Sequence, residues 1–414
     1  MNVISFLKRR NIINKISDQK KILQAIKDGK GVYVGFDPSF KSLHLGNYIM
    51  INLLNIFNKF NIKTYALIGG ATGRVGDPSG KKNERKLLDL NFIENNIICL
   101  KKQLCKLTNS EIINNYDFYK NLTIIDFLRD VGKKITLNYL LEKEIIKTRL
   151  ENGISFAEVA YNLIQGNDFL KLYENNNVAI QIGGSDQWGN ITTGLELIRK
   201  KYGENASACG ITINLLLKSD GSKFGKSDKG AIYLDNQITS VFEIYQFFVN
   251  QDDQDLKKLF MFFTILDIEQ IDEILYEHEK NKSLRYGQKK IAEIVITKIH
   301  GYEAYKQCLK IANALFKNEF NSLTLSELDL CFKQFISFSI DKETKLYDFL
   351  IEHKIIKSKR IFRELIATNS LFVNQKKIEN YEFSLTKKNS YFNKYTVVKK
   401  GKKNYYIIIW KNKG

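Results

Sequence analysis

Three short apolar runs in the first half of the chain each end in or next to glycine. They are GVYVGF at residues 31–36, KTYALIGG at 63–70 and NVAIQIGG at 177–184. Runs of this length, rich in β-branched and aromatic residues, are typical of buried strands. Between the first two, LGNYIMINLLNIFNKF has the length and apolar spacing of a helix. A strand, a helix and a strand in this order predict a βαβ unit with a parallel sheet.

Polar loops follow these strands. The tripeptide DPS occurs at 37–39 and again at 77–79, and the third run leads through GGSD at 183–186 into a predicted helix, WGNITTGLELIRKKYG. The chain has two prolines, Pro38 and Pro78, and both stiffen a DPS loop. Ligands bind at the carboxyl ends of strands in open α/β sheets, so these loops predict a site at that edge.

The hydrophobic pattern predicts different elements in the second half of the chain. From about 233 to 320, stretches such as VFEIYQFFVNQDDQDLKKLFMFF predict helices. Residues 321–344 have the composition of a linker with one short helix. From 345 to 414 we predict a compact α+β unit, with helices in LYDFLIEHK and KSKRIFRELIATN, a strand and turn in LFVNQKKI, and late strands in YTVVKKGKKNYYIIIW.

Positive charge is concentrated in that last unit. Residues 351–414 hold 16 Lys and Arg against 4 Asp and Glu, a net +12 of the chain's total +19. A lysine-rich genome alone predicts an even spread of charge. A folded basic module therefore indicates a polyanionic partner such as nucleic acid, the alternative being a merely solvated basic face.

Composition narrows the class of protein further. The chain has 414 residues and five cysteines, an odd number without a CxxC pair, and its four histidines show no metal-ligand spacing. We expect reduced thiols, no zinc site and a cytoplasmic protein. No apolar run approaches the roughly 18 residues that cross a bilayer, so we expect no membrane association. The first residues lack the features of a signal peptide, and an organelle-targeting presequence stays open as the alternative.

The HLGN segment at residues 44–47 opens the helix after the first strand. Gly46 allows a ligand to approach the backbone, and His44 and Asn47 share one face of the first helical turn. The helix N-terminus attracts anions, and neutral His and Asn donors can bind phosphate oxygens. The alternative is that His44 and Asn47 only cap the helix.

Two further segments carry candidate chemistry. GSKFGKSDKG at 221–230 places Lys223, Lys226 and Ser227 between glycines, as a loop that closes over a triphosphate would require, although a solvated basic loop is the alternative. YNLIQGND at 161–168 places three polar residues on one face of an otherwise apolar helix. This second pattern predicts either a small-ligand pocket or a buried structural network. Its residues are Tyr161, Gln165 and Asp168.

Together these stretches resemble the bacterial tyrosyl-tRNA synthetase family of class I aminoacyl-tRNA synthetases. YVGFDPSFKSLHLGN is similar to the family's first signature with its HIGH-type motif, and KFGKS to its KMSKS-type loop. GGATGRVGDPSGKKNER, ISFAEVAYNLIQGNDFL and VAIQIGGSDQWGNITTG match the tyrosine and adenylate segments in order. The C-terminal unit resembles a small S-four-like RNA-binding domain. Many members of the family have a second histidine where this chain has Asn47. The asparagine keeps a hydrogen-bond donor at this position but lacks the imidazole ring.

The resemblance implies an α/β fold with the following parts. A Rossmann-like parallel-sheet catalytic domain covers 1–232, with a dimer-forming insert at about 115–160 and the KMSKS-type loop at 221–230. An α-helical, anticodon-side domain covers 233–320, a linker 321–344, and the S-four-like domain 345–414. The family works as a homodimer.

The resemblance also implies a reaction. L-tyrosine and ATP give tyrosyl-adenylate and pyrophosphate, and tyrosine then moves to the 3′ end of tRNA(Tyr). The substrate carboxylate is the nucleophile, so catalysis rests on positioning and charge stabilisation. ATP is a substrate that carries its own Mg²⁺, and no zinc or organic cofactor is expected.

The residues implied on the ATP side are of two kinds. Catalytic contacts with the phosphates are expected from His44, Asn47, Lys223, Lys226 and Ser227. The adenylate cradle is expected from Gly35, Asp37, Gly46, Gly184 and Asp186, with Asp186 on the ribose.

On the amino-acid side, Tyr33 and Asp168 are expected to bind the phenol hydroxyl. The ammonium group is assigned to Asp77, Tyr161 and Gln165, and the carboxyl end to Gln187. Contacts with tRNA are expected from Lys357, Arg360 and Arg363, and contacts with the acceptor stem from Arg199, Lys200 and Lys201.

Three rival classes share some of these features. A small-molecule nucleotidyltransferase with an HxGH-type motif would need neither the basic C-terminal unit nor the pair of Tyr33 and Asp168. A non-catalytic RNA-binding relative would not need to keep His44, Lys226 and Asp168. A tryptophanyl enzyme would have no use for phenol-facing polar groups.

Overall fold

The computed structural model describes residues 1–79, 87–150, 153–217, 224, 226–227, 230–333, 335–401 and 404–411. The chain divides into two compact units. The first contains Met1–Thr239 and Phe247–Ile299, and the second contains Ser240–Gln246 and His300–Gly414. Each is described by itself below.

A sheet forms the centre of the first unit. Within the described residues it has six strands in the order β1-β6-β5-β2-β3-β4. Every neighbouring pair is parallel except β1 with β6. The strands are β1 (Ile13–Ile16), β2 (Gly31–Phe36), β3 (Thr64–Ile68), β4 (Glu111–Asn114), β5 (Val178–Gly184) and β6 (Cys209–Ile213). The predicted parallel sheet and its three predicted strands are confirmed.

The order of these strands reverses between β2 and β5. From β2 the chain moves outward to β3 and β4, and it then returns to place β5 on the other side of β2. Such a switch point opens a crevice at the carboxyl ends of the two strands. The loops after β2 and β5 are the first DPS loop and the GGSD loop, as the sequence predicts.

Helices surround this sheet, and three of them position the loops at the crevice. The chain enters α3 through a cap formed by His44, and α9 through a capping box in which Ser155 and Glu158 bond each other's backbone N–H groups. Gly166 of α9 faces α10, where an added Cβ would lie only 3.0 Å from Leu197, so the glycine permits close helix packing. The helices of this unit are α1 (Val3–Arg9), α2 (Gln19–Lys27), α3 (Leu45–Lys59), α4 (Thr72–Val75), α5 (Leu90–Leu107), α6 (Ile124–Asp130), α7 (Leu137–Leu141), α8 (Glu144–Leu150), α9 (Phe156–Asn175), α10 (Trp188–Tyr202), α12 (Leu256–Phe263), α13 (Ile268–Lys280) and α14 (Tyr286–His300). Helix α11 (Val241–Val249) is divided between the two units, with its residues up to Gln246 in the second.

The helical domain predicted over 233–320 differs from the structure. Its residues are helical, but those from Phe247 to Ile299 belong to the first unit. Helix α12 packs on α3, where the side-chain amide of Asn52 donates to the carbonyl oxygen of Phe262 at 2.9 Å and the ring of Tyr48 stacks on Phe263. These long-range contacts join the segment to the sheet-containing unit, and helical periodicity alone does not reveal them.

The second unit carries its own sheet. Within the described residues it has five strands in the order β12-β11-β14-β15-β9. Strand β15 is antiparallel to β14 and parallel to β9. Its elements are α15 (Tyr302–Lys317), α16 (Leu325–Phe332), β9 (Ile336–Ile340), β10 (Thr344–Lys345), α17 (Leu346–Glu352), α18 (Lys359–Ala367), β11 (Leu371–Val373), β12 (Lys376–Lys377), β13 (Ser384–Leu385), β14 (Tyr395–Lys400) and β15 (Asn404–Trp410).

The linker predicted over 321–344 also differs from the structure. It contains the expected short helix, α16, but it also contains β9, which completes the sheet beside β15. Phe338 of β9 packs on the rings of Phe349 and His353. The alternating residues ISFSI pair with a strand about 70 residues later in the chain, and the local sequence does not indicate that partner.

No helix among the described residues is long and apolar enough to cross a bilayer.

Candidate active site

A cavity of about 530 Å³ opens at the carboxyl ends of β2 and β5. Its walls come from both sheet strands, from the two DPS loops and from helices α3 and α9. The predicted site residues that line it are Tyr33, Gly35, Asp37, His44, Gly46, Asn47, Asp77, Tyr161, Gln165, Asp168, Gly184, Asp186 and Gln187.

Asp168 lies at the buried end of this cavity, on helix α9. Its Oδ1 lies 2.6 Å from the hydroxyl of Tyr119, and its Oδ2 accepts a hydrogen bond from the amide of Asn115 at 2.9 Å. Burial raises the pKa of Asp168 to about 7, while the hydrogen bonds from Tyr119 and Asn115 lower it. The carboxyl group therefore changes its charge close to neutral pH.

The hydroxyl of Tyr33, on β2, is buried at the same end. It has no hydrogen-bond partner in the part of the chain that the structure describes. Burial, with a contribution from the charge of Asp168, raises the pKa of Tyr33 well above its usual value, so the hydroxyl keeps its proton. Its ring is fixed against Phe169 at a centroid distance of 5.4 Å. An oriented, buried hydroxyl that lines a cavity is suited to bond a polar group of a ligand.

The first DPS loop presents Asp37 to the cavity. Its Oδ2 accepts from the hydroxyl of Tyr161 at 3.0 Å, and its Oδ1 accepts from the hydroxyl of Thr72 at 2.8 Å. Burial, and then the charge of Asp37, raises the pKa of Tyr161, which keeps its hydroxyl a donor. These bonds fix an anionic carboxylate beside helix α9.

The second DPS loop presents Asp77 through a chain of amides. The side chain of Gln187 donates from Nε2 to Asp77 Oδ2 at 2.9 Å, and Gln165 donates to Gln187 Oε1 at 3.2 Å. The backbone N–H of Ser79 donates to Asp77 Oδ1 at 2.9 Å. With Asp37, this second carboxylate gives the middle of the cavity a negative character that favours a cationic group.

His44 and Asn47 form the capping pair of helix α3. The backbone N–H of Asn47 donates to His44 Nδ1 at 3.2 Å, and Asn47 Oδ1 accepts from the His44 N–H at 3.1 Å. Because Nδ1 is an acceptor here, a neutral imidazole carries its proton on Nε2. Both residues also line the cavity. The capping interpretation is therefore confirmed, and it is compatible with a binding role because the cap fixes the orientation of the ring.

The predicted phosphate loop is described only in part. Lys226 and Ser227 form β7, which pairs with β8 (Gly230–Ala231), while Lys223 lies outside the described residues. Phe224 lines the cavity and packs its ring on Phe247 and Phe263, at centroid distances of 5.0 and 5.5 Å. The aromatic contacts anchor the chain two residues before Lys226.

Three residues at the site were not found by sequence reasoning. Thr72, Asn115 and Tyr119 supply donors to Asp37 and Asp168, and the first two also line the cavity. Asn115 and Tyr119 lie in the segment assigned to a dimer-forming insert. The polar and aromatic run NNYDFY was the available signal, but no periodicity links it to helix α9.

The two predicted groups of tRNA-contacting residues differ in their surroundings. Arg199 pairs with Glu196 and Glu204, Lys200 with Glu196, and Lys201 with Glu174. These carboxylates neutralise the basic end of helix α10. In the second unit Lys357, Arg360 and Arg363 are exposed, and the structure gives them no ion-pair partner among its described residues.

No cluster of three or more His, Cys, Asp or Glu side chains among the described residues is arranged to hold a metal ion.

Comparisons with known proteins cover both units. The family of tRNA synthetases class I (W and Y) matches residues 27–317, and the tyrosine--tRNA ligase SYY-like C-terminal domain matches residues 327–408. The chain is 52% identical over 410 residues to the tyrosine--tRNA ligase of Ureaplasma urealyticum, covering 99% of each chain. It is 42% identical over 419 residues to that of Listeria welshimeri, covering 99% of this chain and 100% of the relative. A C-terminally truncated mitochondrial tyrosyl-tRNA synthetase from Aspergillus nidulans, 28% identical, has a TM-score of 0.68 and covers 76% of this chain and 94% of that structure.

The sheet, its switch-point cavity and these matches define a class I aminoacyl-tRNA synthetase. Within that class the chain belongs to the tyrosine--tRNA ligase family, because the C-terminal match and the full-length relatives agree. The resemblance in the sequence is confirmed, and the rival classes are set aside.

Proposed function

We propose that this tyrosine--tRNA ligase binds its amino acid with the phenol ring at the buried end of the cavity, between Tyr33 and Asp168. The observation that carries the proposal is the buried hydroxyl of Tyr33, which lacks a hydrogen-bond partner among the described residues. A substrate phenol can accept from Tyr33 and donate to ionised Asp168. Phenylalanine fills the same space but leaves the Tyr33 hydroxyl without a partner and gives Asp168 no donor beyond those of Tyr119 and Asn115, and that costs free energy.

The polar groups nearer the mouth hold the other end of tyrosine. Asp77, Tyr161 and Gln165 bind the ammonium group, and the negative charge of Asp77 and Asp37 supports them. Gln187 directs the carboxylate toward the α-phosphorus of ATP. A carboxylate held in line with its target needs no further nucleophile, so the rate comes from positioning.

ATP occupies the half of the cavity formed by β2, β5 and the start of α3. Gly35 supports this arrangement because a Cβ added there meets nothing within 4 Å and would occupy open cavity space. Gly46, Gly184, Asp37 and Asp186 complete the cradle, with Asp186 on the ribose. The phosphates lie toward His44, Asn47 and the loop residues Lys223, Lys226 and Ser227, and Mg²⁺ arrives with the nucleotide.

The tRNA is held by phosphate contacts from the second unit, through Lys357, Arg360 and Arg363. Their exposure and lack of ion-pair partners in the described chain support this role. The basic end of α10 is a weaker candidate for the acceptor stem, because its charges are already compensated. We place the whole activity in the cytoplasm, which suits five cysteines that form no disulfide.

The active form is proposed to be a homodimer built on the segment around α6 and α7. Several apolar side chains there are between 42% and 75% exposed, namely Ile124, Ile125, Leu128, Leu137 and Phe156. Apolar side chains so close together along the chain are typical of an interface. In a twofold dimer the same face of each copy would cover the other.

The test of the reaction is amino-acid-dependent exchange of pyrophosphate into ATP, with tyrosine, phenylalanine and tryptophan compared side by side. We expect exchange with tyrosine and very little with the other two. Equal exchange with phenylalanine would show that the phenol hydroxyl is not recognised. Absence of exchange with all three, from folded protein, would contradict the proposed activity itself.

A further inference from the structure

Tyr119 stands at the end of a 3₁₀ turn that follows β4, outside the residues assigned to substrate contacts. The residue is half-buried, but its hydroxyl is surrounded by polar atoms of helix α9. Asp168 Oδ1 lies 2.6 Å away and the carbonyl oxygen of Ile164 lies 2.8 Å away. The side-chain amide of Asn167 donates to the phenol oxygen at 3.3 Å.

The Tyr119 hydroxyl has more acceptors around it than it has protons to donate. A phenol has one proton, yet Asp168 Oδ1 and the Ile164 carbonyl oxygen both lie within hydrogen-bond distance of it. When Asp168 is ionised, Tyr119 donates to the carboxylate. When Asp168 is protonated, the acid donates to Tyr119, which then donates to the Ile164 carbonyl. In both protonation states of Asp168 the Tyr119 hydroxyl donates one hydrogen bond, and one proton lies between the two side chains. The hydroxyl can therefore change its acceptor when the charge of Asp168 changes.

We propose that Tyr119 is a positioning residue for amino-acid recognition. It orients the Asp168 carboxylate toward the substrate hydroxyl, and it sets the pH range in which that carboxylate is ionised and can accept a hydrogen bond from the substrate. The proposal rests on the proposed binding of the phenol by Tyr33 and Asp168. Tyr119 itself acts through Asp168 and does not touch the substrate in this account.

The surroundings of Asp168 explain why a second donor matters. Burial disfavours its ionised form, and so does the charge of Asp37, whereas the hydrogen bonds from Tyr119 and Asn115 favour that form. The phenols of Tyr33 and Tyr161 also face this region, and neither titrates near neutral pH because burial raises both pKa values. Removing the Tyr119 hydroxyl therefore leaves Asn115 as the one side-chain amide or hydroxyl donor that the described residues give to Asp168.

The variant that tests this is Tyr119→Phe, which removes one oxygen atom and keeps the ring. The ring contacts with Phe118 and Phe127, each at 6.4 Å between centroids, are retained, so we expect the protein to fold. The matched control is Tyr173→Phe on the same helix as Asp168, where the lost hydroxyl bonds Ser207 instead. Pyrophosphate exchange is measured from pH 5.5 to 9 at varied tyrosine, phenylalanine and ATP.

For Tyr119→Phe we expect the KM for tyrosine to rise about tenfold or more, which is the value of one hydrogen bond to a charged group. We expect kcat and the KM for ATP to change little, and the acid limb of kcat/KM for tyrosine to move to higher pH. Phenylalanine, which has no hydroxyl to place, should lose less than tyrosine. The control variant should match the wild type in each respect.

Two results would overturn the proposal. One is an unchanged KM for tyrosine with an unmoved acid limb. The other is an equal loss for tyrosine, phenylalanine and ATP, which would mean that Tyr119 only supports the fold. A wild-type protein without tyrosine-dependent exchange would instead contradict the proposed function, and that failure is visible before any variant is compared.

Discussion

The hydroxyl of Tyr33 and the carboxyl group of Asp168 lie at the same buried end of the cavity without a hydrogen bond between them. The charge of Asp168 nevertheless raises the pKa of Tyr33, so the two groups are close. A buried hydroxyl without a partner costs about 1–3 kcal/mol of folding free energy. A ligand with one hydroxyl, able to accept from Tyr33 and donate to Asp168, recovers that free energy on binding.

The stability of the protein should increase when Asp168 is replaced by Asn. The pKa of Asp168 is about 7 in the folded protein against an ordinary value of 3.8, so above pH 7 the folded state carries the full cost of a buried charge. In Asp168→Asn the new amide can accept from Asn115 and donate to Tyr119. We expect the free energy of unfolding at pH 8 to rise by ~1–4 kcal/mol.

The stability gain of Asp168→Asn should depend on pH because the pKa of Asp168 is raised in the folded protein. As the pH falls from about 7 toward 4, wild-type Asp168 becomes protonated in the folded state and the advantage of the variant shrinks. Denaturant unfolding of wild type and Asp168→Asn at pH 8, 6 and 4.5 measures the stability difference. Tyrosine-dependent pyrophosphate exchange by the variant is expected to be severely reduced at every pH. A variant less stable than the wild type at pH 8, or a gain that does not vary with pH, would contradict the account of Asp168.

The salt dependence of tRNA binding should distinguish the two basic groups. Replacing Lys357, Arg360 and Arg363 with alanine should weaken binding and reduce the slope of log affinity against log salt by about 2 to 3, because each residue is proposed to contact a phosphate. Adenylate formation, which needs no tRNA, should be unchanged.

The matched control removes the three basic residues at the end of α10. Arg199, Lys200 and Lys201 already pair with carboxylates of the same unit, so their joint replacement by alanine should leave the slope nearly unchanged. Filter binding between 50 and 300 mM salt compares the triple variants. A larger loss of slope in the α10 variant would reverse the assignment.

The exposed apolar side chains on α6 predict the effect of introducing a single charge there. Ile125→Asp should convert a dimer to monomers, because a carboxylate would be buried without a partner in the interface. Ile98→Asp on α5, also an exposed isoleucine, is the control and should remain dimeric. Sedimentation velocity at micromolar protein gives the result. Equal behaviour of the two variants would place the interface elsewhere.

Sequence periodicity was sufficient for three strands of the six-stranded sheet, β2, β3 and β5, and for much of the cavity. Apolar runs that end at glycine identified β2 and β5, and the spacing of Tyr161, Gln165 and Asp168 identified one face of α9. In these cases the signal is local, since all the residues of a strand or helix face are set by one periodic segment.

The features that the sequence did not predict are those formed by contacts between distant segments of the chain. Tyr119 and Asn115 reach Asp168 across 49 and 53 residues, and Lys201 is neutralised by Glu174, 27 residues earlier. Strand β9 likewise needs β15 as its partner. No local pattern specifies which side chains meet when segments pack, so the donors around Asp168 became visible only in the folded protein.

The recognition of the tyrosine hydroxyl is tested most directly by the ratio of kcat/KM for tyrosine to kcat/KM for phenylalanine in wild type and in Tyr33→Phe. This account predicts that the ratio falls by about 10- to 100-fold, because tyrosine loses one hydrogen bond while phenylalanine no longer leaves a buried hydroxyl unpaired. A ratio equal to that of the wild type would contradict the placement of the phenol between Tyr33 and Asp168.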